Sequence, residues 1–244
     1  MLVSAGLTDR GRVRERNEDA LLLAPALGVI GVCDGIGGAA HGREASRLVV
    51  EMVVARLEHP PVAAALSALS YRVLLVAQAI HDAGRRIRAY AERHGHLGMG
   101  STVAALVFDP QRPERGALLH AGDSLAFRLR GPHFEQLCAP HTTIGILAGA
   151  PPGARPRTLL TRAVGAASGD WIEPNWVGMQ PGDVFLLCTD GLTTMLSERR
   201  IATILADAAS DGPENVAQRL IDAANAAGGR DNITVVVAGI PGRD

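Results

Sequence analysis

Residues 19–42 read DALLLAPALGVIGVCDGIGGAAHG, and this stretch decides the fold. Two apolar runs, 19–28 and 28–35, are parted by Pro25 and Gly28, which predicts a pair of antiparallel strands. The second run breaks at Asp34, a lone carboxylate among glycines. A nucleotide-binding loop and a metal site are both consistent with that break. Beyond it the period changes. Ala45, Leu48, Val49, Met52, Val53 and Leu57 recur at steps of three and four, predicting a helix over 42–58. Pro60 and Pro61 punctuate, and Leu66, Leu69, Val73, Val76, Ile80 and Ile87 mark a longer helix that runs to RHGHLGMG at 93–100. Two helices joined by a short proline turn are expected to pack antiparallel on one face of a sheet.

Working outward, strand patterns resume at 101–109, 116–123, 124–131 and 133–139, and again at 171–179, 183–191 and 232–240. Helical patterns occupy 197–208 and 214–227. Residues 139–170, rich in Pro, Gly and Ala, read as an irregular surface flap. Strands outnumber helices, and most neighbouring strands are joined by short turns. A doubly wound parallel sheet would alternate strand and helix throughout, so the expected class is α+β, with largely antiparallel sheets and helix pairs outside.

The chain has 244 residues, enough to bury a substantial core, and 47% of them are hydrophobic but only 3% aromatic. Aliphatic packing therefore carries the stability. A net charge of −1 gives no electrostatic ground for nucleic acid or an anionic membrane as partner. No apolar run is long enough to span a membrane, and MLVSAGLTDRGR lacks the layout of a signal peptide. The expected setting is the cytoplasm. The three cysteines, Cys33, Cys138 and Cys188, sit in apolar runs and read as buried reduced thiols.

Aspartates stand where the apolar runs end. Asp19 precedes one strand, Asp34 and Asp190 end two others, Asp231 precedes the last, and Asp123 lies between two. Strand ends gather at the rim of a sheet, so these carboxylates can converge. At 4 Å in an effective dielectric of about 20, each pair would cost roughly 4 kcal/mol. The basic residues of the adjoining motifs, with Arg14 and Arg230 as the nearest candidates, are too few to offset that. Either the groups are spread and solvated or a divalent cation neutralises them, and an all-oxygen set favours Mg²⁺ or Mn²⁺ over zinc. Asp9, Asp170 and Asp183 read as simple turn residues. GIGG at 35–38 lacks the spacing and the lysine of a phosphate-cradling loop, and Ser101 and Thr102 have no base placed beside them.

VRERNEDA (13–20), GVCDGIGG (31–38), GMGSTVAAL (98–106), HAGDS (120–124), LLCTDGL (186–192) and GGRDNITVVV (228–237) occur in that order. Together they resemble the metal-dependent protein Ser/Thr phosphatases, the PPM or type-2C family, in their compact bacterial form. The likeness runs from Thr8 to Val237. It implies a single catalytic domain over 1–244, built as a four-layer α-β-β-α sandwich of two antiparallel sheets flanked by helix pairs. It also implies two cations, Mn²⁺ or Mg²⁺, in a cleft at one end. By matched motif, Asp34 bridges both ions, the Gly35 carbonyl binds one, and Asp190 and Asp231 hold the other. Glu18 and Asp19 act through metal-bound waters, Asp123 with Asp190 makes a third, weaker metal site, and Arg14 grips the phosphate. His141, opening the flap, is a candidate substrate contact.

The implied reaction is hydrolysis of phosphoserine and phosphothreonine in proteins, with a metal-bridging water attacking phosphorus directly. Two cations ~3.5–4 Å apart suit such an in-line displacement. The implied protein is a monomer opposing a Ser/Thr kinase. Three positions depart from the family pattern: Ile36 stands where some members carry a histidine, Leu125 where arginine is usual, and Pro140 where many have aspartate. A phosphatase-fold protein that binds phosphoproteins without hydrolysing them, and a metal-dependent phosphodiesterase, are the competing readings.

Overall fold

The central strands of this protein are apolar at nearly every position, which a strand tolerates only when both its faces are covered. In the computed structural model, which describes residues 2–37, 41–62, 68–96, 98–146, 155–166 and 172–241, both faces are covered. The chain begins with β1 (Val3–Asp9), β2 (Ala20–Ala24), β3 (Val29–Cys33) and the short β4 (Gly35–Ile36). Helices α1 (His41–Glu58) and α2 (Leu69–His94) follow. Then come β5 (Gly100–Ser101), β6 (Val103–Phe108), β7 (Arg115–Ala121), β8 (Leu125–Arg130) and β9 (His133–Gln136). After β10 (Thr142–Gly145), β11 (Arg157–Leu160), β12 (Asn175–Gly178) and β13 (Val184–Cys188) stand three helices, α3 (Asp190–Thr193), α4 (Glu198–Leu205) and α5 (Ala208–Ala226). Strand β14 (Ile233–Gly239) completes the order.

Two five-stranded sheets form, ordered β1-β14-β13-β8-β9 and β12-β7-β6-β3-β2, and every pairing in them is antiparallel. Side chains alternate between faces along each strand. Val29 and Cys33 of β3 pack with Val103, Ala105 and Val107 of β6 beneath α1 and α2. Their neighbours Ile30, Val32, Ala104, Leu106 and Phe108 face the opposite way, against Phe185, Leu187, Val236 and Ala238 of the other sheet. Leu186, Cys188, Ile233, Val235 and Val237 then turn outward to α3, α4 and α5. Helix pair, sheet, sheet and helix group make the four-layer sandwich implied by the motifs.

The structure departs from the sequence expectation in four places. Residues 3–9 form an edge strand pairing with β14 over its whole length. VSAGLTD hides this because its residues are only half-buried or exposed, so no apolar pattern is demanded. The flap, expected to be irregular, carries an antiparallel ladder pairing Thr142–Gly145 with Arg157–Leu160. Asp183 is more than a turn former. Its buried carboxylate takes two charge-assisted bonds from Arg130, at 2.6 and 2.7 Å, and one from the Gln180 amide. Of the run 171–179, Asn175–Gly178 is strand.

Leu66, Asp170 and Gly38 of the GIGG stretch lie outside the described residues. The helix expected over 214–227 is recovered as the regular part of α5. Gly212 has φ 76° and Pro213 follows it, so the true helix starts there.

Candidate metal centre

Strand β3 delivers Asp34 to the rim of its sheet, and two backbone-directed bonds hold it there. Its amide donates to Thr102 Oγ1 at 2.8 Å, and its carbonyl accepts from the Thr102 amide at 2.8 Å. Thr102 Oγ1 in turn lies 2.6 Å from Ser124 Oγ, and both residues are fully buried. Ser101 and Thr102 therefore anchor the backbone, as their lack of a neighbouring base suggested. The glycine at 35 is needed for space: a Cβ there would collide with the carbonyls of Gly42 and Glu18. The first turn of α1 thus packs straight onto the chain beside Asp34.

Asp19 arrives from the start of β2, Asp190 from the end of β13, Asp231 from just before β14, and Asp123 from the turn between β7 and β8. All four make the charge on Asp34 more costly. Burial first, then Asp19, Asp190, Asp123 and Asp231 in that order, drive the Asp34 carboxyl well above the ordinary carboxylate range. Asp190 is pushed up to about 7, by burial first and then by Asp123, Asp231 and Asp19. Asp19 rises to about 6 through burial, although the hydroxyls of Thr234 and Thr189 hold it down. Asp123 and Glu18 are also raised, each chiefly by burial.

Among the described residues no three His, Cys, Asp or Glu side chains close into a ready-made cage. The donor set nevertheless fits a hard cation. Oδ1 of Asp19 and Oδ1 of Asp190 are buried with no hydrogen-bond partner. A buried bare carboxylate oxygen is costly unless something positive meets it.

Arg14 stands at the rim, 56% exposed, with Nη2 2.6 Å from Asp231 Oδ2. The other Asp231 oxygen accepts from the Asn232 amide at 2.8 Å. Arg14, Glu15, Arg16, Glu18 and Asn232 line an open recess of about 220 Å³. The Asn232 side chain, absent from the sequence expectation, clamps this loop. Its Nδ2 donates to the carbonyls of Arg10 and Arg16, both at 2.9 Å, and its Oδ1 accepts from the Glu18 amide at 2.9 Å. It stands next to Asp231 in the GGRDN motif, but an asparagine carries no sign in the sequence of the distant carbonyls it will meet.

His141 is tied to the Asp123 turn rather than to the acids. Its Nδ1 accepts from the Gly122 amide at 3.2 Å, and its ring stacks on the buried His120 at 4.6 Å. Cys33 and Cys188 are buried and Cys138 is half-buried, all as free thiols.

The model of the protein phosphatase 2C family matches residues 9–223. The chain belongs to the protein phosphatase 2C family. It is 32% identical over 245 residues to the serine/threonine protein phosphatase PstP of Mycobacterium tuberculosis, covering 97% of this chain. The chain spans 44% of the length of that relative.

Two solved structures share the fold nearly end to end. PppA, described as a key regulatory component of the T6SS in Pseudomonas aeruginosa, superposes with a TM-score of 0.83 at 30% identity, covering 98% of this chain and 97% of its own. The catalytic domain of PstP in complex with two manganese ions gives a TM-score of 0.78 at 28% identity, with 98% of each chain covered. As a 2C-family protein the chain has a metal-bound relative of the same fold. No described helix is long and apolar enough to cross a membrane.

Proposed function

We propose that this chain is a metal-dependent protein serine/threonine phosphatase, hydrolysing phosphoserine and phosphothreonine in proteins by direct attack of water on phosphorus and opposing a Ser/Thr kinase. The observation that carries the reading is the meeting of Asp19, Asp34, Asp123, Asp190 and Asp231 at one rim, with bare buried oxygens on Asp19 and Asp190. Asp34, Asp190, Asp231 and the Gly35 carbonyl are the groups that would hold two Mn²⁺ or Mg²⁺ ions, with Asp123 available to a third and Glu18 and Asp19 in support. Bound there, such cations supply charge neutralisation and activation of the attacking water.

The chain's own groups do the rest. Arg14 holds Asp231 through one nitrogen, and a guanidinium has five donors in a planar fork. It can therefore take a phosphate oxygen with the others while keeping its register. Its exposure leaves the approach open to an ester carried on a protein surface. Ile36 offers no proton to the departing alkoxide, so that proton comes from solvent. Nothing on the described residues calls for a nucleophilic serine or cysteine: Ser101 is buried, and Cys33 is buried with its thiol pushed up by desolvation.

Turnover of p-nitrophenyl phosphate and of a phosphothreonine peptide, with and without Mn²⁺, tests the reading beside a phosphodiester control. Monoester hydrolysis that needs Mn²⁺ and stops with chelator is expected. Folded, Mn²⁺-saturated protein that turns over neither monoester would mark a phosphoprotein-binding role instead, and preference for the diester would mark a phosphodiesterase.

A further inference from the structure

Asp19 lies 170 and 215 places from the two hydroxyls that hold it, and the protons in that arrangement can be counted. Thr189 Oγ1 donates to Asp19 Oδ2 at 2.9 Å, and Thr234 Oγ1 donates to the same oxygen at 2.6 Å. An ionised carboxylate only accepts, so each threonine has used its single proton there. Thr234 Oγ1 also lies 2.7 Å from Thr8 Oγ1. With the Thr234 proton committed, Thr8 must be the donor in that pair. Thr8 receives in turn from Asn17 Nδ2 at 2.8 Å, a group that can only donate. Thr189 Oγ1 accepts from the Thr234 amide at 3.0 Å, which fixes its own rotor. Every proton in the set points one way, from the exposed edge strand β1 inward to Oδ2 of Asp19. Oδ1 of the same carboxyl is buried and receives nothing.

We propose that Thr8, Thr189 and Thr234 are positioning residues of the cation site, a one-way hydroxyl array that saturates Oδ2 of Asp19 and presents Oδ1 to the ion or its water. This rests on the cation-site reading above. Hydroxyl chains of this kind polarise one another and fix the orientation of the group they end on. The array draws on four separate pieces of chain: β1, the start of β2, the end of β13 and β14. It also joins the two sheets, so a purely structural role is the competing account, and the experiment must separate them.

Mn²⁺ is titrated by calorimetry into chelator-stripped protein, with a thermal melt of each variant alongside. Thr189→Val and Thr234→Val keep the shape and lose the proton. Each is expected to weaken Mn²⁺ binding about tenfold or more, and Thr→Ser at the same positions is expected to restore it. Thr8→Val, on the exposed edge where the fold is least at risk, is expected to cost severalfold. In an Asp19→Ala background the same valine changes are expected to shift affinity by less than about twofold, because the group they position is gone. Unchanged Mn²⁺ affinity in all three valine variants overturns the array while leaving the cation site standing. An undiminished loss in the Asp19→Ala background also overturns it, showing that the hydroxyls act on the fold at large. Wild-type protein that binds no Mn²⁺ overturns the cation reading itself, and the array with it.

Discussion

Asp34 is half-buried at the end of β3, facing four other carboxyls that each raise the cost of its charge. Its charge therefore costs stability, and on the proposed reading its value to the protein is in the cation it would hold. A carboxyl made a tenfold weaker acid by folding costs about 1.4 kcal/mol once it is ionised. Asp34→Asn is expected to lower phosphomonoester turnover roughly a thousandfold or more, on the scale of losing one electrostatic element of a preorganised site. The same change should raise the melting temperature of chelated protein at pH 8, because a repelled charge is gone. A variant with near-normal turnover, or one less stable than wild type in chelator, would contradict this account of Asp34. At this scale the sequence was readable for acids, which stand out in apolar runs. It was mute for Thr189, Thr234 and Asn232, whose roles appear only as hydrogen bonds to residues some 45 to 222 places away.

At the scale of elements, the join between β3 and α1 does the positioning. The absence of a Cβ at 35 lets the first turn of α1 sit against the Asp34 backbone and the Glu18 carbonyl. Gly35→Ala puts a methyl into backbone oxygens that cannot swing aside. The expected loss is about 1–3 kcal/mol, measured as a lower urea midpoint, with weaker Mn²⁺ binding because Asp34 and Glu18 move apart. An unchanged midpoint would mean the turn gives way more easily than the geometry implies. Strand β1 shows the limit of patterning here. An edge strand is specified by the partner that offers it hydrogen bonds, and β14 offers them along all seven residues of Val3–Asp9. The flap ladder was missed for the same reason, since its two strands are largely exposed.

For the molecule as a whole, the gathered acids set how stability answers to pH and metal. Asp190, at about 7 in the fold, and Asp19, at about 6, bind protons more tightly than the unfolded chain does. The unfolded groups ionise near pH 4, so stability is highest at the acid end and declines as pH rises through 6 and 7. His120 pulls the other way. Burial lowers its proton affinity to about 4, so between pH 4 and 6.5 the unfolded state takes the proton first and stability grows with pH. One imidazole is set against Asp19, Asp34 and Asp190, and the carboxyls are expected to win. The melting temperature of chelated protein should fall from pH 5 to pH 8. Mn²⁺ at a hundred times its dissociation constant should return about 2.7 kcal/mol at pH 8. A flat profile in chelator, or no gain with Mn²⁺, would show that the carboxyls do not share one field.

By itself, the sequence determined the secondary elements with two covered faces and the identity of the acids. Both follow from local chemistry: an all-apolar strand must be buried twice over, and a carboxylate ending such a strand stands out against it. Only the tertiary structure decided which strand lies beside which, and so which acids face one another. It also decided that β1 closes one sheet, and that the hydroxyls of Thr189 and Thr234 point their protons at one oxygen of Asp19. Those facts depend on direction and distance between segments far apart in the chain, and a hydroxyl or an edge strand carries no mark of its partner until the partner is beside it.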